Sequence, residues 1–158
     1  MFTKNKLLII SALVLLPTLY FFVTYSNKSN ASINLSTTNN SVLKNGKQIY
    51  AENCASCHGV NLEGQKDWKS RLPNGMMPAP PHDATGHTWH HPDRYLFMVT
   101  KYGIEELIGE KYPNNMPAYK DILNDEEIIA VLSYIKSTWP SEINLSLIHI
   151  SEPTRPLY

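Results

Sequence analysis

Two cysteines stand three positions apart in this 158-residue chain, Cys54 and Cys57, and a histidine, His58, follows the second directly in "NCASCHG". No other thiol exists in the sequence. A thiol pair at that spacing can begin several chemistries. A structural zinc site needs four ligands, usually two such pairs, and the chain has one. A thioredoxin-type dithiol wants a βαβ context, and no strand pattern precedes Cys54. A disulfide between residues three apart would close a very small loop and stabilise little. The remaining chemistry is covalent haem attachment through C-x-x-C-H. Cys54 and Cys57 would form the thioether bonds to one haem c, and His58 would be the proximal axial ligand of the iron.

The sixth ligand separates electron transfer from small-ligand binding. Met116 in "NNMPAY" is the expected residue, because Pro113-Asn114-Asn115 before it and Pro117 after it make a stiff loop. Met76, Met77 and Met98 compete. Met98 in "LFMV" fits helix-core packing better. Met77 repeats the M-P-A pattern but lies nineteen residues from His58, a short reach to the opposite haem face. His82, His87, His90 and His91 cluster within ten residues and invite a copper or zinc site. Only His87 and His91 have the spacing of a helical ligand pair, and Pro92 makes the segment irregular, so surface or propionate contacts are the expected role. Trp68, Arg71, Trp89 and Tyr102 are further candidate propionate donors, and the other tyrosines and tryptophans are most simply core.

The elements that must position these groups occupy residues 41–144, where ten Lys or Arg face thirteen Asp or Glu, a net charge of −3, while the whole chain sums to zero. No basic patch points to nucleic acid, and no Gly-rich phosphate loop is present. A terminal helix is expected over Asp125 to Trp139. Asn124 caps it with Glu127 three residues on, Lys136 suits its C-terminal end, and Pro140 stops it. Ile128, Leu132, Ile135 and Trp139 share one face at helical spacing. A first helix should begin near Ser41. Gly46 inside it weakens the helix, which points to close packing against a crossing helix. A third should span "DRYLFMVTKY" with Asp93 as its cap, and a short one Ile104 to Gly109. Asn61 to Pro92, with five prolines, reads as a stiff irregular loop. So little apolar material over about 100 residues makes a poor core by itself. A broad apolar disc held inside would complete it, and without haem the domain is expected not to fold.

From Val42 to Pro140 the sequence resembles the monohaem class I cytochromes c. The resemblance lies in the first helix ending in "CASCHG", the "NMPAY" loop and "DEEIIAVLSYIKSTWP"; "GHTWHHPD" is similar to a subgroup of bacterial membrane-bound cytochromes c. It implies an all-α domain of three to five helices around one covalently bound haem, its first and last helices crossing near Gly46. It also implies His58 and Met116 as axial ligands, the carbonyl of Pro80 as acceptor for the His58 ring, and one-electron transfer as the activity. Transient docking to redox proteins, with no catalytic residue, goes with that activity. The alternatives are a haem-based sensor with a labile methionine, or the cytochrome subunit of a larger oxidase or dehydrogenase.

The ends read differently. Leu7 to Tyr25 is nineteen uncharged residues behind Lys4 and Lys6, long enough to span a bilayer and oriented to place the rest of the chain outside the cytoplasm. Residues 1–25 are thus an expected anchor or signal segment, with the haem domain on the periplasmic side of the cell membrane. Residues 26–40, "SNKSNASINLSTTNN", read as a flexible polar linker. "LSLIHISEPTR" matches one reading frame of a sequencing-library transposase adapter, so residues 145–158 are set aside from the fold.

Overall fold

The computed structural model describes residues 33–144, and the expected anchor, most of the expected linker and the adapter-like tail lie outside them. Helices follow in the order α1 (Asn40–Asn53), α2 (Ala55–His58), a 3-10 turn (Thr88–His90), α3 (Asp93–Tyr102), α4 (Ile104–Ile108) and α5 (Asp125–Ser137). Helical conformation resumes at Ser141. No strand occurs among the described residues; a single parallel bridge joins Met77 to Asn114. No helix among them is long and apolar enough to cross a membrane.

Caps explain where the principal helices begin. The Asn39 side chain accepts from the backbone N–H groups of Ser41 and Val42 and starts α1 one residue earlier than expected. At α5 the reciprocal box is complete: the Glu127 N–H donates to Asn124 and the Asn124 N–H donates to the Glu127 carboxylate. Asn124→Ala should cost about 1 kcal/mol, read as a lower midpoint in a thermal melt. The third helix differs from expectation. Pro92 occupies the cap and Asp93 is the first helical residue. The Asp93 carboxylate instead accepts from Lys136 Nζ at 2.7 and 2.9 Å, joining α3 to α5.

The core lies where α1 and α5 cross. α1 buries Gly46, Ile49 and Tyr50 on one face, and α5 buries Ile128, Val131, Leu132 and Ile135 against it. A Cβ at Gly46 would stand 2.0 Å from the Ala130 carbonyl oxygen and 3.0 Å from the Tyr134 Cβ. The crossing anticipated from the glycine is present, and it is backbone against backbone. Leu96 and Phe97 of α3, with Tyr119, Leu123 and Trp139, complete the core.

The folded unit begins before residue 41. Leu35, inside the stretch expected to be a linker, is only 4% exposed. Its neighbour Ser36 donates its N–H to Ser133 Oγ on α5 at 3.1 Å. The segment 33–40 therefore docks on the domain, because one leucine and two backbone donors find partners on α3 and α5.

Candidate functional site

Cys54, Cys57 and His58 are brought together by a single turn. α1 ends at Asn53, and Cys54 serves as its C-cap and as the N-cap of α2. The N–H groups of Cys57 and His58 both donate to the Cys54 carbonyl, at 3.1 and 2.9 Å. Both thiols are free, Cys57 exposed and Cys54 half-buried. Burial, with a smaller contribution from Cys57, pushes the Cys54 thiol up to about 11.

Two phenols clamp this turn. Tyr50 Oη donates to the Gly59 carbonyl at 2.7 Å, bridging the turn from α1. Tyr119 Oη donates to the Asn53 carbonyl at 2.7 Å across 66 positions of sequence. Burial, chiefly, holds the Tyr119 phenol up at about 12 and raises Tyr50 as well. Neither role was legible from the sequence, where both read only as core aromatics.

His58 is 7% exposed, and its Nδ1–H donates to the Pro80 carbonyl at 2.9 Å. That hydrogen bond is the one the family resemblance implied. It fixes the tautomer and leaves Nε2 with its lone pair, the form a metal requires. Burial lowers the ring's pKa, outweighing the opposite pull of the Pro80 bond, and so favours the neutral ligand form.

The methionine loop is held from several sides. The Met116 N–H donates to Asn114 Oδ1 at 2.8 Å, and Asn114 Nδ2 donates to the Tyr112 carbonyl at 2.7 Å. Backbone bonds from Tyr119 and Lys120 to Thr100 and Lys101 fix the loop to the end of α3. Through Tyr119 the same loop reaches Asn53, directly before Cys54. Met116 itself is 38% exposed. Met77 is tied to this loop as well, its N–H donating to the Pro113 carbonyl at 2.9 Å. Met98 is packed against the core, as its place in α3 suggested.

The histidine cluster does not form one site. Among the described residues no group of three or more His, Cys, Asp or Glu could hold a metal ion. His87 stacks on Trp68, His90 on Trp89 and His91 on Tyr95, with centroids 5.1, 3.6 and 4.5 Å apart. His82 is different. It is half-buried and stacks on His58, centroids 4.0 Å apart and planes 21° from parallel. Burial first, then His58 and His87, lower its pKa well below the ordinary value. Of the expected propionate donors, Trp89 gives its indole N–H to the Gly86 carbonyl and Arg71 gives Nη1 to Gly75.

The donor set fits haem c: two unpaired thiols on one turn and a neutral imidazole whose outer nitrogen is already bonded. Comparison with known proteins agrees. A cytochrome c from Thermus thermophilus, c-552, is 35% identical over 97 residues, covering 60% of this chain and 67% of its own length. Cytochrome c-555 from Prosthecochloris aestuarii is 34% identical over 75 residues, 44% of this chain and 76% of that one. The CcoP subunit of a cbb3-type cytochrome c oxidase from Azospirillum brasilense is 30% identical over 104 residues, 66% of this chain but 31% of CcoP. No solved structure matches. The Cytochrome c family model matches residues 43–139, and with C-x-x-C-H in place the chain belongs to the class I cytochromes c, whose members carry covalently bound haem.

Proposed function

We propose that this protein carries single electrons between redox proteins from an exported domain tethered to the cell membrane, with Cys54 and Cys57 holding the haem and His58 and Met116 as axial ligands. The observation that carries the reading is the fixed imidazole: His58 Nδ1–H on the Pro80 carbonyl, on the same turn as both thiols. Bound haem c supplies a one-electron ferric–ferrous couple. The chain's part is to keep its ligands still. Pro80 orients His58, Tyr50 and Tyr119 hold the turn, and the Asn114 and Tyr119 bonds hold the Met116 loop. A thioether ligand favours the reduced state and raises the potential. The uncharged run from Leu7 to Tyr25 supports the tether, and protease treatment of intact spheroplasts should release the haem domain into solution.

The ligand assignment has a direct test. Ferric protein should show the near-infrared methionine–iron charge-transfer band, Met116→Ala should lose it, and Met77→Ala should keep it. The reverse pattern would move the ligand to Met77. A resting protein without the band that binds carbon monoxide readily would be a ligand-binding haem protein instead. The CcoP relative favours a second reading, a cytochrome subunit of an oxidase; co-purification with a larger complex from membranes would support it.

A further inference from the structure

His82 is the one histidine of the cluster that faces the haem-binding turn, and its surroundings are built around it. The ring lies face to face with His58 at 4.0 Å. Its Nδ1 is 2.8 Å from Thr88 Oγ1, and the Thr88 hydroxyl donates in turn to the Pro81 carbonyl at 3.3 Å. The hydroxyl has one proton, so while it donates to Pro81 it accepts from His82 Nδ1–H. Thr88 is itself buried, in the 3-10 turn. Just beyond the end of α5, Trp139 Nε1 donates to the His82 carbonyl at 2.8 Å. Gly86 allows the loop to close: a Cβ there would stand 2.0 Å from the Pro81 carbonyl oxygen. Backbone, hydroxyl and indole thus hold one imidazole against another.

We propose that His82 is a positioning residue for the proximal ligand, its ring face fixing the rotation of the His58 imidazole and stabilising the oxidised state of the site. The inference rests on His58 being the proximal ligand. The physical reason is the charge of the two rings. A metal-bound imidazole is electron-poor, more so in the oxidised state, and the face of a neutral aromatic ring is negative. Stacking the second on the first therefore favours oxidised over reduced protein. An aliphatic side chain would fill the space without that preference.

The test compares haem-loaded full-length protein with His82→Leu, His82→Phe and Thr88→Val, reading the midpoint potential and the ferric EPR g values. His82→Leu should raise the potential and shift the largest g value, because the aromatic face is lost. His82→Phe, which keeps an aromatic face without the Thr88 bond, should stay close to wild type in potential. Thr88→Val, nearly isosteric, should leave the ring unanchored, broaden the EPR line and raise the potential less than His82→Leu does. It remains informative if either His82 variant fails to fold. Equal shifts for Leu and Phe, a shift for Phe alone, or no change in any variant would overturn the proposal, provided the low-spin signal and the near-infrared band persist. A wild-type protein lacking the low-spin signal would overturn the ligand assignment and the proposal with it.

Discussion

Without haem this chain should show no cooperative melt. Among the described residues the three longest helices have 14, 10 and 13 residues, near or below the length at which isolated helices are marginal in water, about 12–15 residues. Their packing has to hold them, and a domain of this size buries only a modest core. Leu72 and Ile108 are 42% exposed, Met116 38% and Tyr102 37%. Between α2 and α3 the only regular structure is the 3-10 turn Thr88–His90. The stretch from Gly59 to Pro92 joins the rest through bonds such as His58 to Pro80 and Trp139 to His82, through the His82–His58 stack and through buried Leu62. A haem fixed by thioether bonds stays on the chain in both states, so it stabilises the fold through the apolar area of the macrocycle that folding removes from water and the axial bonds that only the folded chain closes. Circular dichroism of Cys54→Ala/Cys57→Ala protein should therefore lose most of the helical signal and melt without a sigmoidal step, while haem-loaded protein melts in one transition. A cooperative helical melt from the haem-free chain would contradict this.

Gly46→Ala should be strongly destabilising even in the haem-loaded protein. Two effects oppose each other. Alanine in a helix interior gains about 1 kcal/mol over glycine. Against that, the new methyl would lie 2.0 Å from the Ala130 oxygen and 2.6 Å from its carbonyl carbon. Those atoms are backbone in the middle of α5 and cannot rotate away, so the two helices must separate. Overpacking typically costs about 1–3 kcal/mol, and a backbone obstacle belongs at the upper end. The net loss should be on the order of 2 kcal/mol, or a fall of ~10 °C in the melting midpoint for a domain of this size. An unchanged or raised midpoint would mean that the crossing is looser than the structure describes.

What the sequence revealed depended on whether the signal was local. The capping box at Asn124 and Glu127 and the helical spacing of Ile128, Leu132 and Ile135 lie within a few residues and are realised as read, and C-x-x-C-H, equally local, places both thiols and His58 on one turn. Gly46 was informative because a weak helix former inside a helix has to have a reason. The bond between His58 and Pro80 came from family likeness, as no spacing rule predicts it. Contacts between distant positions stayed hidden. Nothing in "PPHDATGHTWHH" distinguishes His82, which packs on His58, from His90, which packs on Trp89, because an irregular proline-rich loop has no periodicity to reveal a face. Tyr119 reaches Asn53 across 66 positions and Lys136 reaches Asp93 across 43. Such pairings are set by the crossing of helices, not by neighbours in sequence. Leu35 was missed because a lone leucine in a polar run gives no pattern.

The central claim is that Cys54 and Cys57 bind haem covalently, and the most direct measurement is a pyridine haemochrome spectrum after acid–acetone extraction of protein expressed with haem-maturation machinery. The colour should stay with the polypeptide and the spectrum should be that of a haem with both vinyl groups saturated. Colour that leaves with the solvent, or colourless protein carrying zinc on two intact thiols, would contradict the account.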